Sequence, residues 1–205
     1  VFRMSPQPQR LVGMVRSPNG DDFLAIETDR SLGVWSFPEC TKEKDLFRLP
    51  VDTRSVSIAP DGRHLLIVEK SGAIQLRALP RGNVIWKITA EKGSANSVAI
   101  SPRGRFAITG RLDGSLVLYE TASGRLVRDL AGRASPAHTV HFSNDKPYLL
   151  SSHADGTIKL WNLDSGTQEQ VYRGHRGPIA TATINDNWQS LVSAGMDGSI
   201  YMWDL

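Results

Sequence analysis

The chain has 205 residues, 40% of them apolar, with 18 Gly and 11 Pro, enough to bury a substantial core in one turn-rich domain or two small ones. Its 24 basic and 21 acidic residues leave a formal charge of only +3 and form no long basic run, so nucleic acid is not specifically implied. A single cysteine, Cys40, excludes an intramolecular disulfide and a cysteine-built metal site. No apolar run approaches the roughly 20 residues of a membrane span, and neither a signal-peptide pattern nor an Asn-x-Ser/Thr acceptor occurs. An intracellular, cytoplasmic protein is therefore expected. The first residue is Val1 and not Met, which suggests a piece of a longer chain.

Along the chain one period dominates. DRSLGVWSF (29–37), SGAIQLRAL (71–79), DGSLVLYET (113–121), DGTIKLWNL (155–163) and DGSIYMWDL (197–205) follow one another at a constant interval of 42 residues, with Trp35, Arg77, Tyr119, Trp161 and Trp203 in register. Such a period suits four short strands per propeller blade. The five units end near residues 37, 79, 121, 163 and 205 and are expected to form a single domain spanning 1–205, or part of one. The opening VFRMS (1–5) stands in the phase of Glu169–Arg173 and is predicted to be an outermost strand. Ser17-Pro18-Asn19-Gly20, Ala59-Pro60-Asp61-Gly62 and Ser101-Pro102-Arg103-Gly104 supply turns after the innermost strands, since proline presets one turn dihedral and glycine permits positive φ at another. Asp-Gly pairs at 113, 155 and 197 predict tight hairpins between second and third strands. In the last unit, strands are predicted over Gln168–Tyr172, Ala180–Ile184, Ser190–Ala194 and Ser199–Trp203. The alternation of Ile200/Met202 with Tyr201/Trp203 predicts burial of both faces by neighbouring blades.

The last unit, RGHRGPIATATINDNWQSLVSAGMDGSIYMWDL (173–205), opens with Gly174-His175 and closes with Trp203-Asp204. With these motifs the whole chain resembles the WD40-repeat family, most closely in units three to five and least in unit two. The resemblance implies an all-β propeller of four-stranded antiparallel blades, about five of them present, as part of a larger, seven-bladed type. In that family the N-terminal strand commonly completes the final blade, a role Val1–Ser5 would fill. If the ring is cut, unpaired strand edges would be exposed at both ends. The implied function is a non-catalytic protein–protein interaction scaffold whose partners are other proteins or peptides. One alternative is a regulatory or targeting domain appended to an enzyme whose catalytic part lies outside this segment. A nucleic-acid-binding propeller rests on the mild basic excess alone.

His175, Ser193 and Asp197 contain the residue types of a hydrolase triad, but the resemblance assigns them, with Trp203, to a buried structural network. A buried imidazole needs partners on both nitrogens and an indole N–H needs an acceptor. Ser193 also sits mid-strand, in Val192-Ser193-Ala194-Gly195, without a G-x-S-x-G elbow. By alignment unit four keeps Ser151, Asp155 and Trp161 with Arg133 at the histidine position, and unit three has Thr109, Asp113 and Tyr119 with Glu91. Unit one keeps Asp29 and Trp35 with Gln7 and Ala25, while unit two has Leu49, Ile67, Ser71 and Arg77. His138 and His141 point to opposite faces of a strand, so with His153 they are expected to hold no metal. Neither a dinucleotide fingerprint nor a P-loop occurs, and no cofactor is expected. Family members bind partners on the face where innermost strands begin and where the turn precedes the Asp position. That places Arg54, Lys70, Asn96, Leu112, His138, Pro178 and Met196 among the candidate contacts, a mixture suited to a peptide with acidic and apolar groups. Trp188 breaks the repeat: it stands where Gly20, Gly62 and Gly104 occur in other units and Lys146 in the fourth. It is expected to be partly exposed on the opposite face, packing on a neighbouring loop or anchoring another domain.

Overall fold

A computed structural model describes residues 11–16, 22–36, 41–89, 95–130, 135–144, 146–185 and 187–205. Among them the chain forms β-strands and no helix. Blade 1 comprises β1 (Leu11–Arg16), β2 (Asp22–Glu27), β3 (Ser31–Ser36) and β4 (Lys42–Arg48), and blade 2 comprises β5 (Thr53–Ile58), β6 (His64–Glu69), β7 (Ile74–Ala78) and β8 (Asn83–Ile88). Blade 3 holds β9 (Ala95–Ile100), β10 (Phe106–Arg111), β11 (Leu116–Glu120) and β12 (Leu126–Leu130), and blade 4 holds β13 (Ala137–Phe142), β14 (Tyr148–His153), β15 (Thr157–Asn162) and β16 (Gln168–Arg173). Blade 5 has β17 (Ile179–Ile184), β18 (Ser190–Gly195) and β19 (Ile200–Asp204) among the described residues. Every blade is an antiparallel meander in sequence order, and the innermost strands β5, β9, β13 and β17 lie side by side. This is the propeller arrangement that the resemblance and the 42-residue period together imply. Val1–Ser5, the Ser17–Gly20 turn and Cys40 lie outside the described residues.

Local chemistry explains the hairpins. At the β18–β19 turn the Asp197 carboxylate accepts the Ser199 amide at 3.0 Å, and Gly198 takes φ 77°, where a Cβ would be strained. The Gly198 amide closes on the Gly195 carbonyl at 3.2 Å. The innermost-strand turns behave as their sequences predict: Gly62 and Gly104 donate to the carbonyls of Ala59 and Ser101 at 2.9 and 2.8 Å.

Packing between blades follows the strand alternation. One face of β2 and β3 presents Leu24 and Leu32 to Leu65 and Ile67 of blade 2. The same register positions, Leu66, Ile74 and Leu76, face Ala95, Val98, Ala107 and Tyr119 of blade 3. Ile108, Leu116 and Leu118 then face Val140, Leu149 and Trp161, and Leu150 and Ile158 face Ile179, Ala182 and Leu191. Fully burying one such aliphatic side chain is worth about 1.5–3 kcal/mol, so the repeated seam is the main source of cohesion. Blade 5 departs from the expectation that both its faces are buried. Val192, Ile200 and Met202 occupy the same register yet are 40, 74 and 76% exposed, because among the described residues no further blade covers that face. No helix of the described residues is long and apolar enough to cross a membrane.

Candidate functional site

The four residues of the blade 5 signature converge into one continuous chain of hydrogen bonds. Register pairs Leu191 with Trp203 and Ser193 with Tyr201, so Ser193 and Trp203 are diagonal neighbours on one sheet face. The Trp203 indole Nε1 donates to Ser193 Oγ at 2.8 Å, and Ser193 Oγ lies 2.7 Å from His175 Nε2. His175 Nδ1 reaches Asp197 Oδ1 and Oδ2, both at 3.3 Å, and Ser199 Oγ at 3.0 Å. The Asp197 carboxylate can only accept, so the imidazole proton sits on Nδ1 and Nε2 accepts the Ser193 hydroxyl. The Ser199 hydroxyl, at 2.6 Å, and the Arg176 amide, at 2.8 Å, also donate to Asp197. These donors, the Ser199 hydroxyl foremost, hold its carboxyl well below the usual carboxylate range. Edge-on contact of His175 with Tyr201, ring centroids 4.7 Å apart, seals the slot.

Blade 4 builds the same lock with its histidine on a strand, β14, and not in a loop. Trp161 Nε1 donates to Ser151 Oγ at 2.8 Å, but the imidazole that follows is His153, whose Nε2 is 2.8 Å from Ser151 Oγ. Its Nδ1 donates to the Ser135 carbonyl at 2.9 Å. His153 is fully buried, and that desolvation pulls its pKa down from 6.5 to about 4. Asp155 instead receives the amide and hydroxyl of Thr157, at 3.0 and 2.6 Å. His153 is the residue that alignment on the histidine column missed. The signal is its partner position in the next unit, Gly195, where an added Cβ would run into the His175 imidazole and the Asp197 carboxylate. One slot admits one imidazole, from the loop in blade 5 and from the strand in blade 4.

The other units are partial. In blade 3, Thr109 Oγ1 is buried without a partner among the described residues, Tyr119 is buried, and Asp113 holds the Ser115 amide and hydroxyl. In blade 1 Asp29 accepts the Ser31 amide at 2.9 Å and Arg48 at 3.2 Å. Trp35 is buried against Phe23 with Nε1 unpartnered among the described residues. Blade 2 replaces the lock by apolar Leu49 and Ile67, and Arg77 turns to the Gln75 side chain and the Gly82 carbonyl. Gln7, Glu91 and Arg133 lie outside the described residues.

Residues 82–120, 124–162 and 166–204, more than half the chain, match the family described as WD domain, G-beta repeat. The chain belongs to the WD40 family. Comparison with individual curated proteins gives no match. Each matched segment of this WD40 chain begins at an outermost strand and ends at the third strand of the next blade, so the sequence repeat straddles two blades.

On the face bearing the β6–β7, β10–β11 and β18–β19 turns, Arg54, Lys70, Leu112 and Met196 are exposed, Met196 at 70%. Two other positions from the same alignment point elsewhere. Asn96 donates its amide to the Ala137 carbonyl at 2.6 Å and His138 donates Nδ1 to the Ile179 carbonyl at 2.8 Å, equivalent bonds that staple blade 3 to 4 and blade 4 to 5. Pro178 is half-buried, its carbonyl accepting the Met196 amide. Among the described residues no three His, Cys, Asp or Glu side chains converge as a metal site. Trp188, in a left-handed turn at φ 56°, packs on the core shared by blades 4 and 5.

Proposed function

We propose that this WD40 chain is a non-catalytic scaffold that binds other proteins through the face carrying Arg54, Lys70, Leu112 and Met196. The carrying observation is the state of Ser193: its hydroxyl is buried between an indole donor and an imidazole acceptor, so the Ser, His and Asp of blade 5 serve the fold. Exposed cations beside exposed apolar side chains suit a peptide segment with acidic and apolar groups. Asn96, His138 and Pro178 then shape that face through backbone and cross-blade bonds.

Affinity capture with wild-type protein and with the Arg54→Glu/Lys70→Glu double variant, matched for melting temperature, tests this reading. Loss of a defined set of captured proteins is expected. Identical sets from both proteins would overturn the assignment of the face.

A further inference from the structure

On the opposite face, between blades 3 and 4, lies a groove of about 580 Å³. Its walls are the β9–β10 turn, strand β12, and the β13–β14 and β15–β16 turns. Phe106, Phe142 and Leu163, partly buried on the blade 3–4 core, form an apolar floor. Among the described lining residues, Arg103, Arg105, Arg128 and Lys146 rim it against one acid, Asp164. None of these four cations makes an ion pair among the described residues: Arg105 lies over the Phe106 ring at 4.9 Å, and Arg128 Nη1 donates to the Ser165 carbonyl at 2.7 Å.

The repeat shows why this groove is open. One period earlier, between blades 2 and 3, Arg128 is replaced by Trp86. Its indole lies against Gly124 and donates to the Thr121 carbonyl at 2.8 Å. One period later, between blades 4 and 5, Lys146 is replaced by Trp188, which packs on that core. Aromatic side chains thus occupy both flanking grooves, while the middle one carries cations in the same places. The sign of charge also changes: Asp61, at the position of Arg103, pairs with His64 at 2.6 Å in the earlier groove.

We propose that the groove between blades 3 and 4 docks an acidic linear peptide, with carboxylates at Arg103, Arg128 and Lys146 and an apolar side chain on Phe106, Phe142 and Leu163. Charge complementarity chooses this occupant, four cations against one acid among the described lining residues, above an apolar floor. A single-stranded nucleic acid needs a basic track of several nucleotides, and Asp61 interrupts the positive potential one blade away. This site is separate from the face assigned above.

The test uses the full chain and three fluorescein-labelled probes: a glutamate–leucine alternating peptide, its lysine–leucine counterpart and an oligothymidylate. The glutamate–leucine peptide is expected to bind preferentially, more weakly as salt rises. Its affinity should fall by about tenfold or more in Arg128→Trp, which installs the plug of the neighbouring groove over Gly166, and in Arg103→Asp. Measured in the Arg54→Glu/Lys70→Glu background, which removes the opposite face as a competing site for an acidic peptide, the loss caused by Arg103→Asp should persist, and that separates the two sites. Arg103 is exposed, so Arg103→Asp decides the matter if Arg128→Trp fails to fold. Absence of binding at millimolar peptide would overturn the proposal. So would affinity indifferent to Arg103→Asp, or tighter binding of oligothymidylate.

Discussion

At the scale of single residues, surroundings decide what a side chain does. Ser193 is mid-strand, and its oxygen is already shared between Trp203 and His175. His175→Ala leaves the buried Ser193 hydroxyl without its imidazole acceptor, and should cost about 2–4 kcal/mol in urea unfolding. Gly195→Ala should also destabilise strongly, because the locked imidazole cannot move aside for the new methyl. A denaturation midpoint matching wild type would refute the shared-slot account. The histidines also set an acid response. His153 takes up a proton near pH 6.5 when unfolded but only near pH 4 when folded, so unfolding binds a proton between those values. Stability should therefore fall as pH drops from 6.5 to 4, by up to about 3 kcal/mol for His153, with half-buried His141 acting in the same direction. Asp197, held below its ordinary value of 3.8, adds stability that is present above that pH and lost on further acidification. His153→Gln should flatten the first limb in a pH series of unfolding midpoints and leave the second. The blade 5 lock was readable because its four residues match a known spacing. The blade 4 lock was not, because its histidine sits outside the aligned column and only the neighbouring Gly195 hints at the exchange.

For the blades, one register position has opposite worth in different contexts. Ile158 is fully buried against blade 5, whereas Ile200, one period later, is 74% exposed. Ile158→Ala should cost about 2–5 kcal/mol and Ile200→Ala less than about 0.5 kcal/mol, measured as paired urea unfolding curves. Equal losses would show that the outer face of blade 5 is covered. Strand phase, turns and the inward alternation were legible in the sequence, because a 42-residue period repeats the same hydrophobic register. Burial of β19 was not, since alternation states which side chains share a face and not whether anything lies against it. Trp188 shows the same limit: its anomaly was visible, but its place on the blade 4–5 core required the fold.

The molecule as a whole is a row of units joined chiefly to their neighbours, so its stability is approximately a sum of blade and seam terms. Blade 5 has one seam among the described residues, and blades 3 and 4 have two each. In hydrogen-exchange mass spectrometry, amides of β18 and β19 should therefore exchange before those of β10 and β14. The reverse order would contradict the additive picture. Architecture was legible at this scale from the period together with the Gly-His and Trp-Asp motifs. The open groove was not, because it arises from two missing tryptophans in a repeat that otherwise keeps its pattern.

The shared imidazole slot has a consequence for how such an array can be rearranged. Segments 124–162 and 166–204 each carry both positions of their slot, the loop position and the strand position, so exchanging these two whole preserves one histidine per slot. A crossover inside the segment does not. Joining the loop of residues 166–204 to the strand of residues 124–162 would bring His175 and His153 into one space, and the reciprocal chimera would hold no imidazole at all. The intact segment therefore keeps the occupancy of its slot matched, and a half-segment recombinant that doubles the histidine overpacks it even where every strand and turn is preserved.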